Sequence, residues 1–254
     1  MGLAQELNSY WLLALVVVAF LAGYVDAIAG GGGMVLIPAL LFAGVPAVSA
    51  MAVNKIVAIA GTTLAVVKYA LAKQVYWRLV FWSLLPCLAA SFLGGKLALL
   101  LSDKVLVWMI LLCIPVALYF VLTNRKSQTN EAGSKYTRAG WVLSPIGFYD
   151  GLIGPGTGTY MTIAMRRFLS MDYLRATATT KPLNLVTNVG AAVAFLLAGK
   201  VIWALAIPML LANAAGAWVG SHFAIKNGDA FIRRMLVIVL VIMLTANVIK
   251  LIVS

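Results

Sequence analysis

The chain has 254 residues, of which 63% are hydrophobic and only 10% charged. A soluble domain carries about 25% charged residues, so a water-soluble fold is excluded for want of polar surface. The net charge of +12 does not mark a nucleic-acid binder either, because the basic residues sit at the ends of apolar runs rather than in a stripe.

The opening MGLAQELNSY has no Lys or Arg ahead of its apolar run, which argues against a cleaved signal peptide and for an N-terminus outside. Residues 11–29 are almost long enough to span a bilayer. They end in DAIAGGGGM at 26–34, an aspartate and four glycines in a greasy stretch. The run that follows, 35–43, is too short to cross, at roughly 14 Å for 1.5 Å per residue. Three long helices come next, over 47–72, 78–101 and 104–122. The polar stretch TNRKSQTNEAGSKYTR at 123–138 reads as a cytoplasmic linker. Two short arms, 139–153 and 158–168, then meet at GPGTG, and three more long helices cover 173–198, 200–225 and 230–253. No run alternates like a strand, so a β-barrel is excluded. Small residues in GGKLA at 94–98 and AAGAWVGS at 214–221 suit close helix crossings. Cys87 and Cys113, both in apolar runs, read as packing residues rather than a disulfide or metal pair. His222 is the only histidine, so a His-based metal site or triad is excluded, and no cofactor is implied.

The chain is written twice. GYVDAIAGGGG from Gly23 aligns with GFYDGLIGPGT from Gly147, matching Asp26 with Asp150, Gly30 with Gly154 and Gly32 with Gly156 at an offset of 124. Beyond a two-residue insertion the offset is 126. Lys55 then meets Lys181, Trp77 meets Trp203, Gly94 meets Gly220 and Asp103 meets Asp229. The organisation read from this is a first repeat at 1–122, the linker, and a second repeat at 139–254. A duplicated membrane protein of this size is characteristically a secondary transporter.

Orientation follows from parity. If each Gly-centred pair of short arms is a re-entrant hairpin, each half crosses three times and the halves are inverted; a broken helix crossing once would make them parallel. With hairpins and the N-terminus outside, thirteen basic residues fall on the inner side and four on the outer, leaving Lys55 and Lys181 within the membrane. The four-crossing arrangement divides the same charges almost evenly. The positive-inside rule therefore favours inverted repeats, with both termini periplasmic. The fold class expected is an all-α polytopic membrane protein of two homologous halves, each a re-entrant hairpin plus three transmembrane helices.

In that arrangement the two glycine tips approach one another near the midplane. Glycine allows the sharp reversal. The amides opening the next half-helix, near Gly32–Val35 and Thr157–Tyr160, are expected to face the gap as anion donors. The alternative is that the glycines only permit tight packing. Lys55 and Lys181 should lie about 9–12 Å deep from their helix starts, where an ammonium is costly and marks a pathway or counter-ion. Snorkelling is the better reading for Lys68, Lys96 and Lys250. Lys181, Asn184 and Asn188 share one helix face, matched by Lys55, Ala58 and Thr62. The expected substrate-binding set is Lys55, Lys181, Asn184, Asn188, Thr62, Asn54, Gly31, Gly32, Gly33, Gly156, Thr157 and Gly158, around a small anion. Asp26 and Asp150 have three roles open to them: neutralising the lysines, capping the half-helices, or carrying a coupling proton. Spacing does not choose among these. Paired intramembrane aspartates also occur in proteases, but here each comes with a glycine turn and a matched lysine.

DAIAGGGGMVLIPALLFAG followed by AVNK, and GFYDGLIGPGTGTY followed by TKPLNLVTNVG and GKVIW, resemble the TauE/SafE sulfite-exporter family over residues 11–250. The resemblance implies a bacterial inner-membrane transporter of sulfite or small organosulfur anions such as sulfonates. It puts Asp26–Gly33, Asp150–Gly158, Lys55 and Lys181 at the functional centre. Pro182 departs from the family pattern after the lysine, and a reshaped helix is expected there. Alternating access around the midplane is the expected mechanism; a passive anion channel with the same constriction is the alternative.

Overall fold

A computed structural model describes residues 9–110, 112, 136–169 and 171–253, and every described element is helical. In chain order these are α1 (Ser9–Ala29), α2 (Gly32–Phe42), α3 (Ala47–Leu71) and α4 (Trp77–Ala98), then a helical segment at 103–110. They are followed by α5 (Tyr136–Leu152), α6 (Thr157–Leu169), α7 (Tyr173–Leu197) and α8 (Trp203–Val253). Most of the expected 104–122 helix, Cys113 and residues 123–135 of the linker lie outside the described residues. α5 begins at Tyr136, within the last residues of the stretch read as the linker.

Among the described residues, five helices are long and apolar enough to span: Tyr10–Ala29, Ala47–Leu71, Trp77–Ala98, Tyr173–Leu197 and Trp203–Ile238. The chain is a multi-pass membrane protein. Its exterior is greasy, with Leu13, Phe81, Leu85, Leu197 and Leu211 exposed, while Lys55, Asp150, Thr180, Lys181 and Asn188 are buried. Hydrocarbon outside and charge inside is the arrangement a bilayer demands.

Several expectations change in detail. The arm before the first glycine tip is 21 residues, about 31 Å, so α1 is a full span in length rather than almost one. The helices expected at 200–225 and 230–253 run end to end in α8, broken only at Gly228 (φ 65°, ψ −157°), so the connection shrinks to one left-handed glycine. Pro182 does not interrupt α7, which is continuous from Tyr173 to Leu197. The proline removes one N–H from the ladder, and close packing on both sides holds the helix on course.

The helices on either side of each glycine turn pack against each other. Gly32, the first residue of α2, lies so close to Ala22 and Asp26 of α1 that a Cβ would press on both. At the second tip Thr157 Oγ1 donates to Asp150 Oδ1, tying the start of α6 to the end of α5. The first arm of each hairpin packs on the other half's long helix, α1 on α8 and α5 on α4. The contacts recur at the repeat offsets. A Cβ on Gly94 would overlap the Phe148 carbonyl, and one on Gly220 would overlap that of Tyr24. Gly147 meets the backbone of Cys87 as Gly23 meets that of Asn213. Such crossings exclude any side chain. Asp103 accepts from Val48 N at 3.3 Å and Asp229 accepts from Leu174 N at 2.8 Å, so each caps the lysine-bearing helix of its half. These two helices, α3 and α7, touch each other and are the most enclosed of the five spans.

Candidate functional site

The site grows from the two glycine turns. Gly30 (φ 74°) ends α1 and Gly154 (φ 94°) ends α5, each in the left-handed region that side chains avoid. Gly30 lies directly on the backbone of Gly158 and Thr159, and Thr159 Oγ1 donates to the Ala29 carbonyl at 2.8 Å. The first tip therefore rests on the opening turn of α6.

Beside this junction stand two crossed ion pairs. Lys55 Nζ of α3 is 2.7 Å from Asp150 Oδ1 of the second hairpin. Lys181 Nζ of α7 is 3.1 Å from Asp26 Oδ2 of the first and also donates to the Asp26 carbonyl. Each lysine takes its aspartate from the opposite half. Lys55 Nζ further donates to Asn188 Oδ1 at 3.2 Å. The aspartates are held in turn: Asp26 Oδ1 accepts from Gly32 N at 3.2 Å, and Thr157 Oγ1 lies 2.6 Å from Asp150 Oδ1. Two ammonium and two carboxylate groups cancel formally. Each aspartate is thus paired with a lysine, and Asp26 also accepts from the first amide of α2.

Between the tips and α3 and α7 is a cavity of about 20 Å³, roughly the space of one water. Asp26, Asn54, Lys55, Asp150, Asn184 and Asn188 line it, together with Gly33, Thr157 and Gly158. Two polar atoms in this group, Asp150 Oδ2 and Asn188 Nδ2, are buried without a partner among the described residues. Leaving a buried polar atom unpaired costs about 1–3 kcal/mol, and both atoms belong to residues that line the cavity.

The remaining expected residues lie elsewhere. Lys181 does not line the cavity; its ammonium is turned onto Asp26. Thr62 is buried two turns along α3 from Lys55, its hydroxyl unpartnered among the described residues. Gly31 and Gly32 form the α2 start, and Gly156 faces Met34. The expected cradle of free amides is partly closed. Gly32 N is taken by Asp26, Met34 N by Gly31 O, Thr157 N by Gly154 O and Tyr160 N by Gly156 O. Gly30, Gly154 and Ala58 line the cavity without having been singled out as binding residues. The signal for the two glycines was present, since they match at the offset of 124.

An apolar shell around an ion-paired polar centre, built where two helical hairpins meet, is the layout of a membrane transporter. The family profile described as Sulfite exporter TauE/SafE matches residues 15–246, and the chain belongs to this family. It is 38% identical over 239 residues to a probable membrane transporter protein, ORF9, of Sinorhizobium sp, covering 92% of this chain and 91% of that one. A probable membrane transporter protein of Haemophilus influenzae is 33% identical over 245 residues, 94% of each chain. The probable membrane transporter protein YfcA of Escherichia coli K12 is 34% identical over 229 residues, 89% of this chain and 85% of its own. No solved structure matches.

Proposed function

We propose that the protein is a secondary transporter of a small sulfur oxyanion, sulfite or a sulfonate, working by alternating access across the bacterial inner membrane. The observation that carries this reading is the crossed pairing of Lys55 with Asp150 and Lys181 with Asp26 around a polar cavity, in a chain of the sulfite exporter family. Rocking of one half against the other would turn this site toward each face of the membrane in turn. The halves are inverted repeats in this account. Support comes from the paired contacts at fixed offsets, the folded-back hairpins and the distribution of basic residues.

The ion pairs also bear on coupling. An anion can engage Lys55 only where its carboxylate partner is displaced or neutralised. Asp150 Oδ2 is buried and unpartnered among the described residues. A proton on it turns an acceptor that repels anions into a donor and loosens Lys55, so anion and proton move together.

Thermal unfolding of the detergent-solubilised protein against sulfite, sulfate, thiosulfate and a set of alkyl sulfonates tests the substrate class. One of the sulfur oxyanions should raise the unfolding temperature progressively, as the logarithm of its concentration once this exceeds Kd; no response to any would reject the class. Cysteine labelling within 123–135 and at the C-terminus should report opposite sides, and the same side for both contradicts inversion. An acid-inside pH change accompanying anion uptake into proteoliposomes is expected from proton coupling, and uptake with no such change removes it.

A further inference from the structure

The second half carries a feature the first lacks. α6 and α7 run antiparallel, and polar groups meet at each turn of their seam. Thr157 and Asn184 stand at the cavity. One turn on, Thr162 Oγ1 donates to Thr180 Oγ1 at 3.4 Å. Another turn on, the Arg166 guanidinium stacks on the Tyr173 ring at 3.5 Å, with Thr177 on the same α7 face between Tyr173 and Thr180. Thr162, Thr177 and Thr180 are at most 1% exposed, and Arg166 is 8% exposed. Arg166 Nε and Thr177 Oγ1 have no partner among the described residues, and no ion pair there involves Arg166.

A buried guanidinium with an unused donor, on the same seam as an unused hydroxyl, is costly unless something negative visits it. The α7 amides are not what it would visit. Asp229 accepts from Tyr173 N and Leu174 N, and Asp172 accepts from Arg175 N, so the helix start is already occupied. In the first half the counterpart of Thr177 is Met51, and α2, GGMVLIPALLF, has no polar side chain. From Gly158 at the cavity to Arg166 the rise along α6 is about 12 Å.

We infer that the α6–α7 seam is a one-sided anion lane, in which Arg166 draws an oxyanion from the linker side and the threonines pass it to the cavity at Asn184. The inference deepens the anion-transport reading and rests on it. Guanidinium and hydroxyl donors without a carboxylate partner suit a tetrahedral or pyramidal oxyanion and repel cations.

The test uses the full chain with Cys87 and Cys113 replaced by serine and Thr177→Cys as the single thiol, in detergent so that both faces are open. Anionic 2-sulfonatoethyl methanethiosulfonate should label this thiol faster than the cationic trimethylammonioethyl reagent. Arg166→Gln should slow the anionic reagent about tenfold while leaving neutral methyl methanethiosulfonate unchanged. Arg166→Lys should restore most of the anionic rate. Met51→Cys in the same background should show no charge preference. Charge-blind labelling of Thr177→Cys, or none with any reagent, overturns the lane. If sulfur oxyanion flux is absent but labelling is charge-selective, the transport reading falls and the lane stands. Flux with charge-blind labelling gives the reverse.

Discussion

Removing one member of the Lys55–Asp150 pair should damage the protein more than removing both. The groups are 2.7 Å apart with side chains 1% and 2% exposed. Among the described residues, Lys55→Met leaves the Asp150 carboxylate with Thr157 alone, and Asp150→Leu leaves the ammonium with only Asn188 Oδ1. Stranding a buried charge in this way costs about 3–5 kcal/mol, whereas an apolar pair of similar volume is close to neutral. For a chain of this size each kcal/mol moves the midpoint about 2–4 °C, so each single variant should lose roughly 6–20 °C. The double variant should return to within about 2 kcal/mol of the parent. Thermal unfolding of the four purified proteins in one detergent, followed by two probes, closes the cycle. Losses in the double variant equal to the sum of the singles would mean that the two groups do not interact, and the site as described would be wrong. The second pair should respond more weakly. Asp26 is 16% exposed, and Lys181 keeps the Asp26 carbonyl as an acceptor in Asp26→Leu.

The glycine crossings give a second prediction, read by unfolding temperature and by flux. Gly94→Ala and Gly220→Ala should be comparably damaging because each Cβ meets the backbone of the opposite hairpin, while Gly44→Ala, with open space around it, should cost only about 1–2 kcal/mol of backbone strain. Equal tolerance at all three would contradict the packing. The aspartate caps give a third. Asp229→Ala, which loses acceptors for two amides at 2.8 and 2.9 Å, should destabilise by about 1–2 kcal/mol. Asp103→Ala, which loses one at 3.3 Å, should cost less, and chemical denaturation in mixed micelles measures both.

The repeat is legible because the contacts that matter between the halves demand particular residue types. Helices that cross with backbones touching need glycine at Gly94 and Gly220, and helix starts need an acceptor at Asp103 and Asp229, so matched positions keep matched residues. The left-handed turns at Gly30 and Gly154 show in the same way. The crossed pairing of charges is not legible. Nothing in the spacing says that Lys55 reaches Asp150 rather than Asp26, because the partner arrives from more than ninety residues away. For the same reason the spacing leaves neutralisation of the lysines as one of three roles for the aspartates, whereas in the structure each lysine is paired with one. The turn of Lys181 away from the cavity is equally hidden, since a helix face fixes where a side chain starts and not where a long one ends. The bounds 200–225 and 230–253 leave a four-residue gap, where in the structure a single left-handed glycine, Gly228, makes the break.

The most direct trial of the account is uptake of radiolabelled sulfite and of a labelled alkyl sulfonate into proteoliposomes, comparing the parent chain with Lys55→Met and Lys181→Met. Saturable uptake of one of these anions by the parent, lost in both variants while each still purifies as a folded protein, is the expected result. Undiminished uptake in both variants would take the crossed ion pairs out of the mechanism.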